Sequence, residues 1–182
     1  MKNEKFTLTE TAIVVKGITL YQIKALIAFS DVKKHELGGF VEKEDNLCFS
    51  NNCWVYESGK VSGDAKITEN ATVRWYAEVS GDAQVSGNAV VAGNAAISGK
   101  AQVSGNAELG GNAKICDNAQ IRSHAMVFGN AEICDNAVIA GDAVITGYAQ
   151  ISGDISVSGT AKISGAIVVK GTARFSGNAE IN

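Results

Sequence analysis

The 182-residue chain contains no proline, which excludes proline-rich linkers and collagen-like segments. Aromatics are scarce, at 2 Trp, 4 Tyr and 6 Phe, and there are only 2 Met, so a core built on large rings is not expected. Neither sign of charge dominates. Sixteen Lys+Arg stand against nineteen Asp+Glu, net −3, and no general basic footprint for nucleic acid results. No apolar run approaches the roughly 18 residues of a membrane-spanning helix, and no membrane association is expected. The opening MKNEKFTLTE lacks the apolar stretch of a secretory signal. The four cysteines, Cys48, Cys53, Cys116 and Cys134, lack the C-x-x-C spacing of zinc ligands, so reduced thiols in a cytoplasmic protein are the simplest expectation.

What is present is small and β-branched. The hydrophobic fraction is 46%, and glycine occurs 20 times. Ala, Val, Ile and Gly in these proportions point to extended strands joined by tight turns, and that much apolar material argues against disorder.

The order of these residues is strictly periodic. From Phe49 every sixth residue is apolar, through Val55, Val61, Ile67 and onward to Phe175 and Ile181, 23 positions in one phase. Four residues after each, alanine fills 18 of 22 places, the exceptions being Cys53, Gly59, Ile155 and Ile167. The consensus is [V/I]-S-G-[N/D]-A-x. The A-x-V-S stretch alternates inward and outward as a strand does. The following Gly-Asn turns the chain, because both residues tolerate positive φ. One such strand cannot bury its inner face alone, so successive units must stack as parallel sheets around a shared core.

This hexad resembles the hexapeptide-repeat proteins, and the likeness covers residues 49–182. It implies an all-β left-handed parallel β-helix with three hexads per triangular coil. At 18 residues per coil that is about seven coils, roughly 35 Å long at strand spacing. The lead-in, residues 1–48, is expected to be a short β cap. Thr11–Val15 and Ile18–Phe29 read as strands around Lys16-Gly17, Asp31–Leu37 as a loop holding His35, and Gly39–Glu42 as a further strand. The string LYQIKALIAFSDVKKHELGGFVEKEDNLCFSNNCWVY is similar to the opening of a group of bacterial and prophage hexapeptide-repeat proteins. That likeness implies a fold and carries no established activity.

The largest class of left-handed β-helices are acyltransferases that take acyl groups from CoA or a carrier protein, with a histidine as general base. The resemblance therefore makes His124 the candidate base, and CoA or acetyl-CoA the cofactor, of an acyltransferase reading. An 18-residue coil stacks His124 between Asn106 and Asp142. The simpler reading is a corner residue, since histidine tolerates left-handed backbone. The absence of any insertion from 49 to 182 leaves little concavity for a substrate. No catalytic residue and no cofactor are then expected.

Departures from the code mark other candidates. Cys116-Asp117 and Cys134-Asp135 repeat at an offset of 18 and should lie one above the other. That allows a disulfide or a divalent-metal site, though solvated stacked side chains are the simpler expectation. Trp75, Tyr76 and Tyr148 at corners are ligand candidates. One face carries outward Val90/Ala92, Met126/Phe128 and Val144/Thr146, with Trp54/Tyr56 at its start. Clustered outward apolar residues suggest an interface, and Phe175 and Ile181 in the last coil suggest a second, end-to-end one. The leading expectation is a non-catalytic, self-associating scaffold that binds a protein partner. The alternatives are the acyltransferase and a prophage inhibitor of a host protein.

Overall fold

The computed structural model describes residues 3–182. The chain is a left-handed parallel β-helix of about 8 turns with almost no helical structure. Each hexad contributes a two-residue rung, and residues 18 apart pair in parallel register, as Val91 does with Val73 and with Leu109. The rungs form three faces. The first carries inward Val61, Val79, Ile97, Ile115, Ile133 and Ile151. The second carries Ile67, Val85, Val103, Ile121, Ile139 and Val157. The third runs from Val55 to Ile181 as eight strands. The inward rung residues from Val55 to Ile163, and the alanines that occupy the fifth position of each hexad between them, are buried. Main-chain bonds join each rung to the next, for example Lys60 N–H to Ala77 C=O and Ser62 N–H to Val79 C=O, both at 2.9 Å. A rung N–H is therefore needed at nearly every position, which accounts for the absence of proline.

The third residue of most hexads is a stacked glycine at positive φ. At Gly87, φ +69, a Cβ would lie 2.6 Å from Gly105 O one turn away. Corners are thus closed both by backbone conformation and by the approach of the next turn. One corner departs from this plan. Gln150–Val157 and Val168–Phe175 run as unbroken eight-residue strands, paired throughout. Ile155, which replaces the usual alanine, is buried there.

The lead-in forms β1 (Phe6–Val15) and β2 (Ile18–Ala25), an antiparallel hairpin, then β3 (Leu37–Val41). β1 begins earlier and β2 ends earlier than the alternation suggests, and Phe29 bridges Val32 within the following loop. β3 pairs in parallel with Lys60-Val61, and Leu47 bridges Ile67. The coil therefore begins inside the lead-in, which accounts for eight turns where about seven are expected from the hexads alone. It also shifts the phase of the first turn. Leu47, not Phe49, holds the rung at Ile67, because the corner from 48 to 53 is longer than the others. Phe49 instead packs against Phe6, ring centroids 6.0 Å apart. Cys48 and Cys53, joined as a disulfide, close this longer corner.

Cys116 and Cys134 are joined as well, and no free cysteine remains. The expectation of reduced thiols is corrected here: the 18-residue offset puts the two residues on adjacent rungs, Cα atoms 4.7 Å apart, within bridging reach. Among the described residues no helix is long and apolar enough to cross a membrane.

Candidate functional site

Where the cap meets the third face, a cleft of about 290 Å³ opens between Ser30, Asp31, Tyr56, Thr72, Arg74, Val90 and the corner amides Asn52, Asn70 and Asn88. A second, of about 250 Å³, shares Asp31, Tyr56 and Arg74 and is completed by Glu57 and Trp75. The 18-residue repeat places Tyr56 and Arg74 on adjacent rungs, and the loop after β2 brings in Ser30 and Asp31. The Tyr56 hydroxyl donates to Asp31 Oδ1 at 2.5 Å. That bond holds the Asp31 carboxyl below its ordinary range. Burial, followed by the Asp31 bond, pushes Tyr56 up to about 12. The Arg74 guanidinium lies 4.5 Å over the Tyr56 ring, and its Nε donates to Thr72 Oγ1 at 3.2 Å. Arginine stacked and hydrogen-bonded in this way is pre-oriented.

Trp75 forms the rim. It is 59% exposed and has φ +57. Later turns of the same corner place Gly93, Gly111, Gly129, Gly147 and Gly165 at this position. A bulky residue in left-handed backbone is an outlier. Tyr76 beside it and Tyr148 four turns on are exposed at 63% and 66%. Between these tyrosines runs an amide ladder, Asn94 to Asn112 at 3.1 Å and Asn112 to Asn130 at 2.9 Å. The structure brings Trp75 into the cleft and leaves Tyr148 far from it. Asp31 and Ser30 escape sequence reasoning because they lie outside the repeat. The pairing of Tyr56 with Arg74 could have been found from their 18-residue offset.

His124 occupies a different corner, in a ladder running from Asn52 through Asn70 and Asn88 to Asn106. Asn106 Nδ2 lies 3.0 Å from His124 Nε2, and His124 Nδ1 lies 3.5 Å from Asp142 Oδ1. With Asn106 donating, the ring carries its proton on Nδ1, toward Asp142; this tautomer follows from the bond network. Asn106 thus engages Nε2, Nδ1 faces Asp142, and neither cleft described above includes His124. A general base needs a nitrogen turned toward a substrate.

Val90, Ala92, Met126, Phe128 and Val144 do share the third face. Most are half-buried, and Ala92 is buried. The Phe128 ring fills the space above Gly110, where a Cβ would meet it at 2.8 Å. Trp54, read as outward, is fully buried. The cap covers it, with Phe6 and Phe29 meeting its ring edge-on at 6.3 and 5.4 Å. Phe175 and Ile181 are half-buried in the last turn.

Cys116, Asp117 and Cys134 bring two sulfurs and a carboxylate oxygen within 4.8 Å of one another. The expected stacking of Asp117 on Asp135 takes another form. Asp117 Oδ2 accepts the Asp135 N–H at 3.3 Å, and Asp135 Oδ2 accepts the Gly153 N–H at 2.9 Å.

No family model matches the chain. A segment of 59 residues is 34% identical to a protein of Escherichia coli K12 described as an uncharacterized acetyltransferase, YdcK. The match covers 32% of this chain and 18% of that relative's length. The solenoid and this similarity fit a hexapeptide-repeat protein.

Proposed function

We propose that the chain is a non-catalytic, self-associating binding protein, a rigid solenoid that presents its third face and the adjoining Trp75 rim to a protein partner. The observation that carries this reading is Trp75. An indole is held exposed at φ +57 where the five later turns of the same corner use glycine. Backbone strain at an exposed aromatic gains nothing for the folded chain by itself, and such strain concentrates at binding sites. Exposed tryptophan and tyrosine beside an arginine are also the residue types that dominate interface energetics. The half-buried apolar residues Val90, Met126, Phe128 and Val144 extend the same surface along the third face. Static light scattering at tens of micromolar tests self-association. An oligomer that Phe128→Glu dissociates is expected, and a monomeric wild type overturns it.

A second reading has one observation in its favour. The E. coli relative is described as an acetyltransferase, and His124 lies beside Asp142. An acyltransferase should be thermally stabilised by millimolar CoA or acetyl-CoA, because ligand bound only to the native state raises its stability. The bond from Asn106 to His124 Nε2, and the position of His124 outside both clefts, favour the binding reading, under which no shift occurs. A prophage inhibitor of a host protein would use the same surface with a different partner.

A further inference from the structure

The sequence I-C-D-N-A occurs at 115–119 and again at 133–137, and the coil places the two copies on adjacent rungs of the first face. We propose that, once reduced, Cys116 and Cys134 together with Asp117 form a binding site for a soft divalent cation of the zinc or cadmium type. The two sulfurs and the Asp117 carboxylate oxygen lie within 4.8 Å of one another. The two sulfurs, bonded to each other in the disulfide, need only part on reduction to the roughly 3.8 Å that separates two thiolates on a tetrahedral zinc ion with Zn–S bonds near 2.3 Å. Rotation of the Cys116, Cys134 and Asp117 side chains after reduction is what brings all three donors onto one ion.

The scaffold holds them for this. Cys116 N–H and Cys134 N–H are both bonded at 3.0 Å, to Ile133 and Ile151 carbonyls. The ladder fixes the rung spacing whether or not the sulfurs are joined. The bond from Asp135 N–H keeps the Asp117 carboxylate at the corner beside the thiols. Donors held on rigid elements lose little freedom on binding. A groove of about 180 Å³ adjoins Cys134, lined by Glu132, Gln150, Ser152 and Lys170, and opens that residue to solvent. Two thiolates and one carboxylate leave an open position for water, and thiolate ligands select soft or borderline cations.

The redox step balances. A dithiol reductant supplies two electrons and two protons, the Cys116–Cys134 bond breaks to give two thiols, and the reductant leaves as its own disulfide. Cation binding then releases the thiol protons to solvent. The disulfide form has neither thiolate to offer, so occupancy follows the redox state of the pair.

The test uses the full chain with Cys48→Ser and Cys53→Ser, which removes the other pair, reduced with a phosphine and titrated with Cd2+. The ultraviolet thiolate-to-cadmium charge-transfer band reads ligation directly. One Cd2+ per reduced chain is expected, and none on the chain oxidised before titration. Asp117→Asn keeps both thiols and should weaken binding about tenfold or more. Cys116→Ser should abolish the band while circular dichroism reports an intact solenoid. Absence of the band in the reduced parent, unchanged affinity in Asp117→Asn, or equal binding by the oxidised chain each overturns the proposal.

Discussion

Single residues carry the departures from the repeat, and their energetics can be separated from the fold. At Trp75 the backbone lies at φ +57 and the indole is largely in solvent. Trp75→Gly should therefore raise unfolding free energy by about 1 kcal/mol, since glycine removes the left-handed penalty. The same change should weaken whatever binds at the rim. Urea denaturation measures the first effect, and loss of stability in that variant would mean the indole supports the fold.

Lys5 is a second residue-scale case. It is buried against the first turn, donating to Cys53 O at 2.7 Å, with Phe29 beneath it at 4.6 Å. Burial pushes its amine down to about 8 from 10.5. Between those values the unfolded chain binds the proton that the folded chain has lost. Stability should therefore rise with pH across that window. Tyr56, raised to about 12 from 10.0, acts in the opposite sense above pH 10. Urea midpoints measured from pH 8 to 10 should climb in the wild type, and Lys5→Met should flatten the climb.

At the scale of the element, a corner works because two turns share it. Gly87 and Gly171 both have positive φ, yet a Cβ at Gly87 meets Gly105 O at 2.6 Å while one at Gly171 meets nothing within 4 Å. Gly171→Ala should cost only the left-handed penalty, about 1 kcal/mol. Gly87→Ala adds an overpacking term of about 1–3 kcal/mol. Thermal denaturation of the pair separates backbone strain from stacking, and equal losses would refute the stacking account. The strand-and-corner hexad was legible in the sequence because its inward and outward residues alternate without insertion. The long first corner was not. Phe49 is apolar and in phase, and only the competition of Leu47 for the rung and of Phe6 for the Phe49 ring moves it aside.

For the whole molecule, a solenoid has mostly nearest-neighbour contacts, so its stability is approximately a sum over turns. Ile121→Ala in the middle of the second face should cost about 2–5 kcal/mol, as a cavity the stacked rungs cannot collapse to fill. The cap departs from this plan. β3 belongs to the coil, and the hairpin of β1 and β2 joins it through the β2–β3 pairing and through Lys16, which lies 3.4 Å from Glu78, the partner of Lys60 on the first face at 3.0 Å. The Lys16 pair, with its amine in solvent, contributes little. The burial of Phe6, Ile23 and Trp54 is what seals the end of the core.

The six-residue spacing by itself determined a strand-and-corner repeat and its inward set of Val, Ile and Ala, and the resemblance to hexapeptide-repeat proteins added the three-hexad turn that stacks residues 18 apart. A local alternation leaves no other way to bury that many small apolar side chains. With 18 residues per turn, His124 falls between Asn106 and Asp142, and Cys116 beside Cys134. Only the tertiary structure decided what lies across the boundary of the repeat. The cap turned Trp54 from an outward residue into a buried one, and it set Asp31 against Tyr56 and Arg74. Such contacts join segments with no common period, so their positions depend on how β2 and its loop pack on the first turns.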